Sequence, residues 1–429
     1  MFWTALVGIM VASAATGVAL GAALGLTGLV LLQVWSNGAT SLAVDAVWDV
    51  FNSFTLSAVP LFILLGEILL RSGVSSRAYT AFAPLFRRVP GGLLHTNIAV
   101  CTFFGAVSGS SLSTAAAVGS VAYPEMTRRG YDRDMIVGSL AGGGTLGLLI
   151  PPSLSFIIFG ALTETSIGRL FVAGIVPGLM VGLMFMAYIL VRALRDPELA
   201  PPDTRRAPMA EILRGLAGVW PLLLLIVAVI GSIVGGIATP TEAAAVGVVL
   251  ATAITAIWGE LTVRRLVEAL FRSTLLFASI GLVVLGATVL AQSVSILGIP
   301  QQILRTVAEA ELDRYAVLAF VVLFYLALGC FFDGLSLMIM TLPVVFPLLT
   351  GLGFDPVWVG VLITIVIEIG QVTPPVGLNL SVLSSLTGHA VGLGRVARAT
   401  VPYWLIHLGA VAILTAFPAI ALFLPGVLF

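Results

Sequence analysis

The chain contains one short sequence pattern twice, at a fixed distance of 223 residues. Across residues 123–152, seven of thirty positions are identical to the residue 223 places later, where about two would match by chance. The identical pairs are Pro124/Pro347, Thr127/Thr350, Gly130/Gly353, Asp132/Asp355, Gly147/Gly370, Pro151/Pro374 and Pro152/Pro375. Two further pairs, Tyr123/Phe346 and Tyr131/Phe354, are aromatic in both copies. In a membrane protein, paired segments interrupted by glycine and proline at corresponding places are typical of a transport site.

The composition places the chain in a lipid bilayer. Hydrophobic residues make up 59% of the sequence, charged residues make up 9%, and the mean hydropathy is +1.14. A soluble domain carries about 25% charged residues. Apolar runs of spanning length are predicted at 4–34, 53–70, 135–162, 170–191, 216–237, 242–258, 273–297, 357–388 and 399–425. The net charge of zero gives no indication of a nucleic-acid partner.

Two further apolar stretches, 93–127 and 316–350, have a polar, glycine-containing centre. Four arginines lie in 71–92 and three in 127–134, on either side of the first stretch. Because short cytoplasmic loops are rich in basic residues, both loops should be cytoplasmic, and 93–127 should be a re-entrant hairpin of two half-helices. The corresponding loops of the second copy contain few arginines, which predicts that 316–350 enters the membrane from the opposite side.

The expected fold is an all-α polytopic membrane protein with an inverted-topology repeat, two re-entrant helical hairpins and two helices broken at the Pro-Pro pairs. The predicted segments are the first repeat at 1–191, with hairpin 93–127 and broken helix 135–162, a cytoplasmic linker and linking helix at 192–241, and the second repeat at 242–429, with hairpin 316–350 and broken helix 357–388. This arrangement predicts a cytoplasmic N-terminus and a C-terminus on the outer side of the membrane.

The centre of the first hairpin is a run of four small residues, Ser108-Gly109-Ser110-Ser111. Irregular backbone at membrane depth is tolerated only where it is buried in protein or lines a polar cavity, because an unsatisfied backbone group in lipid costs several kcal/mol. Hydroxyl and carbonyl oxygens suit a hard cation such as sodium, and the N–H groups at a helix start suit a carboxylate. The alternative is close packing of helices through small residues.

A helix break is predicted at each Pro-Pro pair. The first pair follows Gly147, and the second follows Gly370 and Thr373. A proline pair removes two N–H donors and frees carbonyl groups about one turn earlier. The freed oxygens can complete a cation site beside a hairpin tip, and Asn379 can reach the same cavity. The alternative is a kink without a function.

Ionisable groups inside membrane segments are expensive and are therefore candidates for function. Asp333, at the centre of the second hairpin, is the strongest candidate, as a cation ligand or as a helix cap. Glu242 follows Thr-Pro-Thr and fits a capping role at a helix start. Glu67 and Glu368 are candidate proton carriers or partners in the bundle. Isolated histidines without metal-site spacing are His95, His389 and His407.

Five strings together resemble the large membrane subunit of tripartite ATP-independent periplasmic (TRAP) transporters, and the likeness covers essentially the whole chain. The strings are Gly105-Ala106-Val107-Ser108-Gly109-Ser110-Ser111, Tyr123-Pro124-Glu125-Met126, Gly147-Leu148-Leu149-Ile150-Pro151-Pro152-Ser153, Thr239-Pro240-Thr241-Glu242-Ala243-Ala244 and Val372-Thr373-Pro374-Pro375-Val376-Gly377-Leu378-Asn379. The resemblance implies a sodium-driven carboxylate importer of the bacterial cytoplasmic membrane. It also implies an elevator mechanism of the ion transporter superfamily, in which a moving domain carries the hairpins past a static scaffold.

The resemblance further implies two protein partners, a small four-helix membrane subunit and a periplasmic substrate-binding protein. We expect both to be separate chains, because this one subunit accounts for all 429 residues. Sodium is expected as a coupling ion rather than as a prosthetic group. Substrate selectivity is expected to reside largely in the binding protein.

On this resemblance, one sodium ion should bind between each hairpin tip and the break of the same repeat. The expected ligands of the first ion are Ser108, Gly109, Ser110, Ser111, Gly147 and Pro151. The expected ligands of the second ion are Gly329, Asp333, Gly334, Gln371, Thr373 and Pro374. The carboxylate should lie between the tips, within reach of Ser110, Ser111, Ser153 and Asn379. Sodium would order the tips first, and the ordered groups would then receive the anion.

Two other interpretations remain open. One is a stand-alone ion-coupled carboxylate or anion transporter of the same architecture, which would transport without a binding protein. The other is an intramembrane enzyme such as a protease, built on Glu67, Glu164 or a histidine. Against the enzyme, no paired catalytic residues recur at useful spacing, and the serines at 108–113 have no local base. We therefore expect a transporter and not an enzyme.

Overall fold

The computed structural model describes residues 8, 9, 12, 13, 17–36, 38–201 and 208–429, and helices make up most of this part of the chain. The first half contains α1 (Leu20–Trp35), α2 (Ser41–Phe51), α3 (Ala58–Arg71), α4 (Val74–Phe86), α5 (Leu93–Ser108), α6 (Ser111–Arg128), α7 (Arg133–Leu149), α8 (Leu154–Thr163) and α9 (Ile167–Arg195). After them come α10 (Met209–Gly218), α11 (Trp220–Val234), α12 (Pro240–Ile257), α13 (Val263–Ile296), α14 (Ile299–Glu309), α15 (Arg314–Gly329), α16 (Gly334–Gly351), α17 (Pro356–Gln371), α18 (Leu378–Leu386), α19 (Leu393–Ala416) and α20 (Ala419–Leu428).

The fold is that of a polytopic membrane protein. Seven helical segments in the described ranges are long and apolar enough to cross a membrane, with α7 and α8 counted together. These segments are Phe54–Arg71, Arg133–Thr163, Ile167–Arg195, Pro240–Ile257, Val263–Ile296, Gly334–Gly351 and Leu393–Ala416. Large apolar side chains such as Val227, Val249 and Phe271 are exposed, which is expected for helices that face lipid tails rather than water.

Several helix ends differ from the predicted apolar runs. The run 273–297 is part of α13, which starts earlier because the Thr262 side chain accepts a hydrogen bond from the Arg265 N–H. The run 399–425 is two helices, α19 and α20, which are separated at Phe417-Pro418. Part of the run 4–34 lies outside the described residues. Four helices were not expected from the apolar runs, namely α2, α4, α10 and α14.

The repeated Gly-aromatic-Asp motif forms the same turn in both copies. Gly130 and Gly353 have φ of +80° and +85°, a left-handed conformation that glycine adopts without steric cost. Asp132 caps α7 by accepting a hydrogen bond from the Met135 N–H at 2.9 Å. Asp355 caps α17 in the same way. In each copy, the motif therefore lies between the second helix of the hairpin, α6 or α16, and the first part of the broken helix, α7 or α17.

Removing either cap should destabilise the protein slightly. We expect Asp132→Ala and Asp355→Ala each to lower the free energy of unfolding by about 1 kcal/mol, because each leaves first-turn N–H groups without an acceptor. Thermal melting of the purified chain measures this effect, with Asp45→Ala, an exposed aspartate inside α2, as the control. Midpoints of both cap variants equal to that of the control would contradict the expectation.

Each hairpin crosses the broken helix of its own copy at a pair of glycines. An added Cβ at Gly105 in α5 would lie 2.7 Å from the Cα of Gly147 in α7. An added Cβ at Gly329 in α15 would lie 2.8 Å from the Cα of Gly370 in α17. The two backbones are thus in direct contact at both crossings, as small residues permit in membrane helices.

Helices α1 and α13 form a second close pair, on the other side of the tips. An added Cβ at Gly286 of α13 would overlap the Gly21 carbonyl oxygen, and one at Gly28 would lie 2.7 Å from the Leu290 nitrogen. The Ser293 hydroxyl donates to the Gly28 carbonyl oxygen at 2.8 Å. This glycine-mediated contact holds together two helices that line the same cavity as the hairpin tips.

Candidate functional site

The first hairpin tip, where α5 ends and α6 begins, contacts the first helix break, where α7 ends and α8 begins. The contact is made by backbone atoms. Helix α5 ends at Ser108, and Gly109 turns the chain with a φ of +59°. The Gly109 carbonyl oxygen accepts a hydrogen bond from the Leu154 N–H at 3.4 Å. An added Cβ at Gly147 would lie 2.7 Å from the Ser110 carbonyl oxygen. The tip and the break are therefore held together without any room for a larger side chain.

The second tip meets the second break in a similar way. The Cys330 carbonyl oxygen accepts a hydrogen bond from the Val376 N–H at 3.2 Å. Gly334 starts α16 beside Gln371, whose Nε2 would lie 2.6 Å from an added Cβ. Asp333 caps α16, and its carboxylate accepts a hydrogen bond from the Ser336 N–H at 2.9 Å. Both tips thus rest on the break of their own copy.

Hydroxyl groups surround the carbonyls next to each break. In the first copy, Ser153 and Ser155 both donate to the Leu148 carbonyl oxygen, the latter at 2.9 Å, and their hydroxyls lie 2.7 Å apart. In the second copy, Thr373 donates to the Ile369 carbonyl oxygen at 2.6 Å. The Pro-Pro bond is cis in both breaks. Oxygen atoms therefore concentrate where each proline pair interrupts the helical hydrogen bonds.

Both hairpin tips line one cavity of about 470 Å³. The first tip contributes Ser108, Ser110 and Ser113, and the second contributes Asp333 and Ser336. Helices α1, α3 and α13 supply most of the remaining wall, including Ile63, Gly66, Glu67, Ser279 and Val283, and Leu154 of α8 also lines it. The two copies, far apart in sequence, thus meet at one cavity, in which the polar groups of both tips face a largely apolar wall.

The cavity is lined by two acids, and by no basic side chain among the described residues. Glu67 is paired with Arg71 of the next helical turn at 2.8 Å. Asp333 accepts from the start of α16. Helix α6 also starts here, where Ser110 accepts a hydrogen bond from the Ser113 N–H at 3.4 Å. The first turns of α6 and α16 therefore bring the positive ends of two helix dipoles to the cavity.

The site residues predicted from the sequence lie in three kinds of location. Ser108, Ser110 and Asp333 line the cavity. Residues in or near the contacts between tips and breaks are Gly109, Gly147, Pro151, Gly329, Gly334, Gln371, Thr373 and Pro374. Fully or almost fully buried side chains outside the described cavity lining are Ser111, Ser153 and Asn379.

Glu242 and Glu368, two acids whose roles the sequence did not decide, lie in different surroundings. Glu242 forms a capping box with Thr239, in which its carboxylate accepts a hydrogen bond from the Thr239 N–H at 2.8 Å, so the predicted capping role is confirmed. Glu368 is fully buried in α17 and accepts a hydrogen bond from the Ser111 hydroxyl at 2.5 Å. This contact joins the second repeat to the first tip.

Sequence reasoning singled out Glu368 and Gln371 of α17 but missed the polar row that they form with Thr364 on one face of the helix. Thr364, Glu368 and Gln371 are all buried, and their spacing places them on one face of the helix. Thr364 donates to the Ser155 hydroxyl at 3.3 Å. Polar residues three and four positions apart in an otherwise apolar helix are the signal that could have identified this row.

Comparisons with known proteins agree with this architecture. The family model described as "Tripartite ATP-independent periplasmic transporter, DctM component" matches residues 7–420. The C4-dicarboxylate TRAP transporter large permease protein DctM of Pseudomonas aeruginosa is 36% identical, over 94% of this chain and 93% of the relative. The sialic acid TRAP transporter large permease protein SiaM of Vibrio cholerae is 31% identical, over 95% of each chain.

Two solved structures share the fold at low sequence identity. The Alcanivorax borkumensis YdaH transporter aligns with a TM-score of 0.66 at 16% identity, over 90% of each chain. The Neisseria gonorrhoeae MtrF protein aligns with a TM-score of 0.51 at 13% identity, over 91% of this chain and 85% of that one. The family match spans nearly the whole sequence. The chain belongs to the DctM family, the large permease component of TRAP transporters.

Proposed function

We propose that the chain is the translocating subunit of a sodium-coupled importer of a carboxylate-containing small molecule. The observation that carries this proposal is the single cavity lined by both hairpin tips. The names of the relatives support the substrate class, because C4-dicarboxylates and sialic acid are carboxylic acids. The carboxylate would lie between the tips, close to the hydroxyls of Ser110 and Ser113.

The charges in the cavity support a role for cations. A carboxylate in this space would face Asp333 and the paired Glu67, with no basic side chain in the described lining. Two helix starts provide only partial positive charges, which do not balance an anion beside two acids. Sodium ions at the tips would supply the missing charge, and oxygen atoms are the ligands that hard cations prefer.

One sodium ion would bind where the first tip meets its break, and another where the second tip meets its own. The first site uses oxygens near Ser108, Ser110 and Gly147, and the second uses those near Asp333 and Thr373. Ion binding would hold each tip in the geometry that receives the anion. Coupling follows because the anion site is poor without the ions, so each ligand raises the affinity for the other.

The proposal also includes two protein partners and an elevator movement of the hairpins. A small membrane subunit would extend the static wall built from α1 and α13, and a periplasmic binding protein would deliver the substrate. The hairpins and broken helices would move together as an elevator. The inverted halves, with a cytoplasmic N-terminus and a periplasmic C-terminus, would let the cavity open on either side of the inner membrane.

The first test is thermal melting of the purified chain in sodium chloride and in choline chloride at equal ionic strength. We expect a saturable, sodium-specific rise in melting temperature, because a ligand that binds only the folded state stabilises it. Ser110→Ala and Thr373→Ala should each reduce the rise. Melting curves that coincide in the two salts would refute sodium coupling.

Matched controls exist for both variants. Ser120 lies in the same helix as the first tip, and its hydroxyl donates to the Ala117 carbonyl oxygen at 2.9 Å. Thr350 donates to the Phe346 carbonyl oxygen at 2.9 Å, much as Thr373 does to Ile369. Ser120→Ala and Thr350→Ala should keep the full sodium response. An equal loss in the controls would assign the effect to helix stability instead of to ion binding.

Uptake in proteoliposomes tests the dependence on a binding protein. We expect sodium-driven uptake of a carboxylate when the small subunit and the binding protein are both present, and none when the binding protein is omitted. The reason is that the described cavity offers few groups that could select a substrate by itself. Uptake that survives the omission would identify a stand-alone carboxylate transporter.

A further inference from the structure

Another cavity, of about 680 Å³, lies where the C-terminal end of α9 meets the starts of α7 and α19. It is separate from the cavity between the hairpin tips, and the described linings of the two share no residue. The proposed sodium and carboxylate sites therefore do not use it. The charged side chains in its lining are three arginines and two aspartates, namely Arg192, Arg395, Arg398, Asp132 and Asp134.

Both aspartates of this cavity already have partners. Asp132 accepts a hydrogen bond from the first turn of α7 at 2.9 Å, and Asp134 pairs with Arg395 at 2.5 Å. Arg192 and Arg398 have no acidic partner within the described ranges, and Arg398 donates at 3.4 Å to a carbonyl oxygen of its own helix. Two guanidinium groups are therefore left to bind an anion.

The cavity lies at the boundary between membrane and water. Ile167–Arg195 and Leu393–Ala416 are both long and apolar enough to cross a membrane, and the cavity is at the arginine-rich end of each, which the positive-inside rule places in the cytoplasm. Tyr188 of α9 also lines it. One helical turn deeper on the same faces lie Met184, which is partly buried, and Leu405, which is 50% exposed. Apolar surface thus continues from the cavity towards the membrane centre.

We propose that this cavity binds the phosphate group of an anionic phospholipid from the cytoplasmic leaflet. Arginine suits this group because its planar guanidinium donates two parallel hydrogen bonds to phosphate oxygens. Basic pockets between spanning helices on the cytoplasmic side are typical sites for anionic lipid headgroups. The acyl chains lie along the apolar surface of α9 and α19. A soluble phosphate has the same charged group but gains nothing from that surface.

A lipid in this position connects helices that belong to the broken-helix bundle. Helix α7 contains Gly147 of the first break, and α19 packs against both α7 and α17. The lipid therefore stabilises the contact between these helices and the end of α9. The inference depends on the predicted membrane orientation and not on sodium coupling.

The test is thermal melting of the purified full chain in a neutral detergent and choline chloride, without sodium. We expect a saturable rise in melting temperature with phosphatidylglycerol, because a ligand that binds only the folded state stabilises it. Phosphatidylcholine with the same acyl chains should give a smaller rise, since its headgroup has no net charge. Glycerol phosphate, added as a sodium-free salt at equal ionic strength, should give none. A full rise with glycerol phosphate would identify a soluble phosphate as the ligand and overturn the lipid assignment.

Single substitutions locate the effect at this cavity. Arg192→Gln and Arg398→Gln should each raise the half-maximal concentration of phosphatidylglycerol about fivefold. Asp134→Asn should lower that concentration, because it weakens the ion pair and releases Arg395 for the phosphate. Arg272→Gln is the matched control, since it removes an exposed arginine of α13 that does not line the cavity, and it should leave the concentration unchanged.

Two results would overturn the proposal. One is an equal response to phosphatidylglycerol and phosphatidylcholine, and the other is a response of Arg192→Gln and Arg398→Gln that equals that of Arg272→Gln. If either cavity variant does not fold, the opposite shift expected for Asp134→Asn still decides the question. A missing sodium response of the wild type would refute sodium coupling and leave the lipid result unaffected.

Discussion

Replacing Gly147 by alanine is expected to lower sodium-driven uptake by roughly tenfold to a hundredfold. The added Cβ would lie 2.7 Å from the Ser110 carbonyl oxygen and 2.7 Å from the Thr114 hydroxyl oxygen. The first of these atoms is backbone, so the hairpin tip must shift away from the helix break. Overpacking of this kind costs about 1–3 kcal/mol, and each 1.4 kcal/mol corresponds to about tenfold in an equilibrium constant. The displaced tip is the place where the first sodium ion is proposed to bind.

The measurement is uptake into proteoliposomes that contain the chain, the small subunit and an excess of binding protein. Gly409→Ala is the matched control, because its Cβ would make only an ordinary contact of 3.7 Å with Met184. Sodium-free melting of both variants shows whether the protein remains folded. Wild-type uptake by Gly147→Ala would mean that close contact between tip and break is not needed for transport.

The sequence predicted the local features of this fold well. The polar centres predicted in 93–127 and 316–350 are the places where one helix ends and the next begins. Small polar residues, proline pairs and helix caps act on the backbone within a few residues, so their effect can be derived from the sequence alone. The turn formed by Gly130 and Asp132, and again by Gly353 and Asp355, is such a case.

Long-range pairing could not be derived in this way. Ser111 and Glu368 are 257 residues apart, and only the packing of both copies brings them together. Ser153 stays a predicted substrate contact, and the sequence did not show that its buried hydroxyl bonds to a carbonyl of its own break. The helices α4 and α14 escaped notice because a search for spanning apolar runs does not detect short helices with one polar face.

Replacing Asp333 by asparagine should lower the affinity for sodium at least tenfold, about 1.4 kcal/mol, without destabilising the sodium-free protein. Asp333 has two functions in the proposed site. It caps α16 by accepting from the Ser336 N–H at 2.9 Å, and it lines the cavity between the tips. Asparagine caps a helix about as well as aspartate does. The substitution therefore removes the negative charge and keeps the cap.

The sodium concentration that gives half of the maximal rise in melting temperature measures this effect. Asp355→Asn is the control, because Asp355 caps α17 in the same manner but does not line the described cavity. It should change the half-maximal sodium concentration by less than about twofold. If Asp333→Asn behaves like this control, Asp333 is a cap alone, and Glu67 becomes the remaining acid in the cavity lining that can attract the ions. If Asp333→Asn loses sodium affinity while its sodium-free melting is unchanged, the charge at the second tip belongs to the ion site.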